Sequence, residues 1–135
     1  MVELRSSLKH AAEFGLTAFG ATRLARARHK AHTLVLAYHN VVPEGEAARG
    51  DTSLHLPQRD FSQQLDLLQR THHVIPLTDL ATAHKTAKPR AIITFDDAYA
   101  GALEAGVVEL QKRSLPATVF VTPAFVGGAA FWWDR

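Results

Sequence analysis

The sequence predicts an α/β fold in which parallel strands are joined by crossover helices, and three observations carry that expectation. Ala91 to Phe95 is a short apolar run rich in β-branched residues, bounded by Pro89-Arg90 and by two acids. Such a run reads as a strand covered on both faces, as in parallel sheets. After it, Tyr99, Leu103, Val107 and Leu110 recur at spacings of four, four and three, which is one apolar stripe of a helix. Arg113-Ser114-Leu115-Pro116 then makes a turn, and Ala117 to Val121 reads as the next strand. Strand, helix and strand at this spacing form a βαβ unit, whose strands lie parallel with a right-handed crossover.

Composition narrows the class. The chain has 135 residues, 47% of them hydrophobic and 21% charged, ordinary for a globular chain of one domain or a piece of one. Fifteen basic against thirteen acidic residues leave a net charge of +2, too little to argue for nucleic acid. There is no cysteine, which excludes disulfides, thiolate metal sites and a cysteine nucleophile. No run of eighteen apolar residues occurs, so no transmembrane segment is expected.

Residues 1–32 read as an N-terminal basic helical extension. Leu4, Leu8, Ala11, Ala12, Leu16 and Phe19 form a helical stripe, and Gly15 and Gly20 weaken it. Arg23, Arg26, Arg28 and Lys30 put four positive charges into residues 23–30. They suit a weak contact with an anionic surface, or simply a solvated helix face. Glu13 interrupts the apolar stretch and no small-residue cleavage site follows, so a signal peptide is not expected and the default is cytoplasmic or membrane-peripheral.

Thr33 to Ala37 is the first clear strand and ends at Tyr38-His39-Asn40. Residues 43–57 lack periodicity and read as a loop that could cover a substrate. Phe61, Leu65 and Leu68 mark a helix, with Asp60 as its expected cap. Val74 to Leu77 is broken by Pro76 and reads as an edge strand at best, with a short helix starting at Thr78 or Asp79. His72-His73 invites a metal reading, but adjacent residues rarely present both rings to one ion. Near the end, Phe131-Trp132-Trp133 is either a stacking platform for sugars, or packed core or a subunit contact.

Asp96 and Asp97 sit where the central strand turns into its helix, the edge at which α/β folds collect ligands. Two adjacent carboxylates disfavour joint ionisation unless a proton or a cation lies between them. In a straight strand they would point to opposite faces, so only a turn starting here aims both into one pocket. The plain alternative is that Asp97 caps the helix and Asp96 is solvated.

Thr94-Phe95-Asp96-Asp97-Ala98-Tyr99 resembles the motif of the polysaccharide deacetylase family, the chitin-deacetylase-like enzymes with a NodB-homology domain. Leu34 to Val42, Leu115 to Val121 and Phe131-Trp132-Trp133-Asp134 fit the same family in the same order. The resemblance implies that residues 33–135 are the N-terminal part of such a domain, the opening segment of a distorted (β/α)7 barrel. It implies metal-dependent hydrolysis of acetyl groups from a polysaccharide or oligosaccharide, with an acetylated carbohydrate as substrate. Asp97 would be a ligand of a divalent metal, commonly zinc, and Asp96 the catalytic base. Tyr38 and His39 would stand beside the substrate.

The family's histidine pair for the metal, its orienting arginine and its late histidine acid have no counterpart here. The expectation is therefore a domain truncated before its metal site is complete, inactive on its own. An inactive carbohydrate-binding or scaffolding remnant of the fold, and a magnesium-binding receiver-like domain, are the rival readings. The family also usually has glycine where Ala98 stands. If that position needs positive φ, alanine costs on the order of 1 kcal/mol.

Overall fold

A computed structural model describes residues 32–82 and 86–128. The expectations for residues 2–30 and for Phe131-Trp132-Trp133 lie outside the described residues. The chain divides after His32, and the elements given below all belong to the unit that starts at Thr33.

The central strand is β5, Arg90–Phe95, and its residues Ala91 to Phe95 are at most 4% exposed. It pairs in parallel with β1, Thr33–Tyr38, over its full length, Thr33 opposite Arg90 and Tyr38 opposite Phe95. The other edge of β5 is shared. β4, His73–Val74, pairs with Arg90 and Ala91, and β6, Thr118–Val119, pairs with Thr94 and Phe95. The predicted parallel sheet is present, with β4 at its edge as Pro76 requires. β6 is shorter than the run 117–121 suggests.

The helix α1, Gln58–Thr71, buries Phe61, Leu65 and Leu68 against this sheet. Pro57 precedes its first turn, so Asp60 lies inside that turn rather than capping it; there it still faces the positive end of the helix dipole. Ahead of α1, the stretch read as loop contains a short strand. β2, Asn40–Val42, and β3, His55–Pro57, pair in parallel. Three-residue strands carry no periodicity for a sequence to reveal.

The crossover helix departs most from expectation. It contains a π-helical turn, Ala102–Gly106, before the regular α2, Val107–Gln111. The buried apolar positions are Tyr99, Ala102, Ala105, Gly106 and Leu110, whereas Leu103 is 47% exposed. The wider turn rotates Leu103 outward and sets small residues against the sheet. The reason for small residues is distance. A Cβ on Gly106 would come within 3.3 Å of Val41 Cγ2 and 3.4 Å of Phe95 Cζ. One on Gly101 would strike the Val41 carbonyl oxygen and lie 2.5 Å from Asn40 Oδ1.

The two helices are tied by an ionic cluster. Glu109, 5% exposed, accepts from Lys112 Nζ at 2.7 Å, Arg113 at 2.8 Å and Gln58 at 3.0 Å. Arg113 also donates to Asp66 at 2.8 Å and to Ser62 at 2.7 Å. Bonding from Lys112 above all, with Gln58, Arg113 and Ser62, holds the Glu109 carboxyl at about 2, down from its ordinary 4.5.

Two outcomes follow for stability. Gly101→Ala should cost roughly 2–3 kcal/mol, because backbone rather than a flexible side chain blocks the methyl group; urea denaturation measures it. A carboxyl depressed in the folded state stabilises fully above its unfolded pKa and loses that contribution as pH falls towards the folded one. Glu109→Gln should therefore be about 2 kcal/mol less stable than the parent at pH 7. That gap should shrink between pH 4.5 and about 2 in urea titrations repeated across this range.

Candidate active site

The C-terminal edge of β5 is held from both sides. The Asp96 N–H donates to the Tyr38 carbonyl at 2.8 Å, and the Phe120 N–H donates to the Phe95 carbonyl at 2.8 Å. Past this point the ladder stops and the backbone turns. Asp97 has φ 65° and Ala98 φ 53°, two successive residues in the left-handed region that L-residues rarely occupy. Asp97 is therefore no conventional helix cap. The backbone turns left-handed directly after Asp96, and Ala98 adopts the positive φ at which glycine would be unstrained.

Asp96 and Asp97 are both half-buried. Thr122, two residues beyond the Phe120 bond, donates its hydroxyl to Asp97 Oδ1 at 2.9 Å. His39 follows Tyr38 as Asp96 follows Phe95, so the register of β1 and β5 carries these two residues on as neighbours.

Tyr38 is placed differently from His39. Its ring packs edge-on against Phe61 at 5.0 Å and tilted against Phe95 at 5.7 Å. Its hydroxyl donates to Gln64 of α1 at 2.9 Å, and burial pushes the phenol up from its ordinary value. The expectation that paired Tyr38 with His39 beside a substrate thus divides: Tyr38 joins β1 to α1, while His39 lies at the open edge.

A cleft of about 610 Å³, lined by neither aspartate, runs between residues 42–49 and the start of the crossover helix. Asn40, His55, Tyr99 and Glu104 contribute to its walls. Asn40 Nδ2 lies 3.1 Å from His55 Nδ1, and the His55 ring meets Tyr99 edge-on at 5.8 Å. Pro43, residues 46–49 and His55 thus line this cleft. His72 and His73 line another cleft, at the N-terminal ends of β4 and β5. There His72 Nδ1 lies 2.8 Å from Thr71 Oγ1 and His73 is exposed.

Among the described residues no three His, Cys, Asp or Glu side chains gather where they could hold a metal ion. A catalytic zinc takes three protein ligands and a water. The described residues do not by themselves fit a complete zinc centre.

Solved structures with the same arrangement decide the fold family. IcaB from Ammonifex degensii matches with a TM-score of 0.54 and 26% identity, over 66% of this chain and 37% of that one. BA0330 from Bacillus anthracis, named as a polysaccharide deacetylase, gives 0.51 and 21%, over 66% and 29%. The Streptococcus pyogenes deacetylase PplD, solved with acetate, gives 0.52 and 20%, over 66% and 42%. The chain has the fold of part of a polysaccharide deacetylase domain. It spans 29% to 42% of the lengths of these three chains. No family model matches, and no curated protein does.

Sequence reading placed Asp96, Asp97 and His39 at the strand edge, but missed Thr122 and His55. The rule that found the acids also applies to Thr122, which follows the next strand of the sheet. His55 depended on the pairing of β2 with β3 and left no signal.

If Ala98 is strained as its φ indicates, Ala98→Gly should raise stability by about 1 kcal/mol. Thermal and urea unfolding measure this directly; a loss of stability would mean that the turn does not need the left-handed geometry.

Proposed function

We propose that this chain is the N-terminal part of a carbohydrate deacetylase, contributing the opening strands of its (β/α) barrel and the two acidic residues of its active site. The observation that carries the reading is the left-handed turn at Asp97-Ala98, which sets two adjacent carboxylates at one sheet edge with distinct surroundings. The motif resemblance and the deacetylase folds of the neighbours support the same reaction class.

The reaction is hydrolysis of an acetyl group, an N-acetyl amide by the resemblance: water enters, and acetate and the sugar amine leave. Asp96 takes the proton of the attacking water; its backbone is fixed by the bond to Tyr38. Asp97 offers a carboxylate oxygen to a divalent ion, zinc by the resemblance. Such an ion, when bound, acidifies water and polarises a carbonyl. The described residues offer it this donor and not the remaining ligands. His39 stands beside Asp96 and contacts the sugar. Activity is accordingly expected where these residues are joined by further ligands, and not from the 135 residues alone.

The test is acetate release from N-acetylglucosamine oligomers with zinc or cobalt supplied, using a polypeptide that carries this segment together with a metal-binding histidine pair. Asp96→Asn should lower turnover by about a hundredfold or more while metal affinity stays near that of the parent. Asp97→Asn should weaken metal uptake as well as turnover. Full turnover in either variant removes that residue from its assigned role.

A further inference from the structure

We propose that the outer edge of β1 is a self-association surface, on which a second copy of this chain adds its own β1 in antiparallel register centred on Val35. This surface is independent of the reading of the acid pair.

β1 is bonded to β5 along one edge. There the Tyr38 carbonyl accepts from the Asp96 N–H, and the Leu36 carbonyl accepts from the Thr94 hydroxyl at 3.2 Å. Successive residues of a strand turn their backbone groups to alternate edges. Leu34, Leu36 and Tyr38 therefore bond towards β5. Thr33, Val35 and Ala37 present N–H and C=O groups to the other side, where no strand pairs with β1 among the described residues. The strand Thr33–Tyr38 holds no charge, proline or glycine, so the devices that usually blunt an edge are missing. Leu34 is 40% exposed and Val35 50%, which leaves an open apolar side chain on each face.

The sequence of this edge suits a copy of itself. Thr33-Leu34-Val35-Leu36-Ala37 reads nearly the same in both directions about Val35. A two-fold axis normal to the sheet at Val35 sets Val35 against Val35, Leu34 against Leu36 and Thr33 against Ala37. Side chains directly opposite in an antiparallel pair share a face. Apolar groups thus meet on both faces, and no charge loses its water. The backbone favours the same centre, because there all three outward-bonding residues find outward-bonding partners and each such pair exchanges both hydrogen bonds. Centred on Leu34 or Leu36, one of the three would fall beyond the end of the partner's strand. An unrelated strand would need no such symmetry. Each copy uses its edge once, so the assembly closes at two.

The oligomeric state of the 135-residue chain tests this. Light scattering from about 1 μM to about 500 μM should show a reversible change from 14.8 kDa to twice that mass. Val35→Lys and Val35→Glu should each raise the dissociation constant at least about a hundredfold, because like charges then meet at the axis. An equimolar mixture of the two should dimerise again. Circular dichroism checks that the variants fold. Should they not, Thr33→Lys with Ala37→Lys replaces them as the form that repels itself across the axis, and Thr33→Glu with Ala37→Lys as the form that still pairs.

The register has its own readout. In dimers mixed from isotope-labelled and unlabelled copies, NOEs between copies should join the Leu34 and Leu36 α-protons, the close pair that exchanges no hydrogen bonds. A chain monomeric throughout, dimers indifferent to charge at Val35, no recovery in the mixture, absence of those NOEs, or growth beyond two copies would overturn the proposal.

Discussion

The parallel ladder of β5 is the constraint on which the rest depends. Its backbone is bonded to β1 along one edge and to β4 and then β6 along the other. Its side chains from Ala91 to Phe95 are buried. A strand paired on both edges and covered on both faces has no freedom to slide, since a slip by one residue would exchange its two faces. The residue at which pairing stops is therefore fixed in space. That residue is Asp96, the first position beyond β5.

The turn beyond Asp96 is costly, and packing keeps it in place. Left-handed backbone at both Asp97 and Ala98 would relax in an isolated peptide. Here the next residue, Tyr99, is 8% exposed in the core, and the Ala102 N–H already bonds to the Tyr99 carbonyl. Gly101 and Gly106 let the helix come close enough to Val41 for this to happen. The π-helical turn shares this origin: it lets Tyr99, Ala102, Ala105 and Leu110 all reach the sheet from a helix whose start is dictated by the strand end. Strain at the acid pair is thus sustained by close contact elsewhere.

These features also explain what the sequence could reveal. The βαβ unit was legible because Ala91 to Phe95 and the run after Pro116 are apolar and β-branched, and α1 because Phe61, Leu65 and Leu68 repeat at helical spacing. The acid pair was legible from the strand-end rule and its motif. Leu103 misled because a stripe drawn at the ordinary helical period assumes uniform winding, and the π-helical turn breaks it. β3 and the His55–Tyr99 contact were hidden because they come from pairing between distant short segments. Motif proximity does not say which side of a strand the Tyr38 ring takes; Phe61, Phe95 and Gln64 decide that.

The arrangement also answers the electrostatic difficulty of two neighbouring aspartates. Side chains at successive strand positions diverge by alternation, and two like charges forced into one pocket would resist joint ionisation. The left-handed turn takes a middle course. It keeps Asp96 on the strand's own geometry, beside His39, and swings Asp97 towards β6, where Thr122 takes up one of its oxygens. The two carboxylates then share an edge without sharing partners. Their surroundings differ, and the difference comes from two backbone angles and one hydroxyl. A helix beginning directly at Asp96 would have erased it, leaving one carboxylate as a cap and the other in solvent.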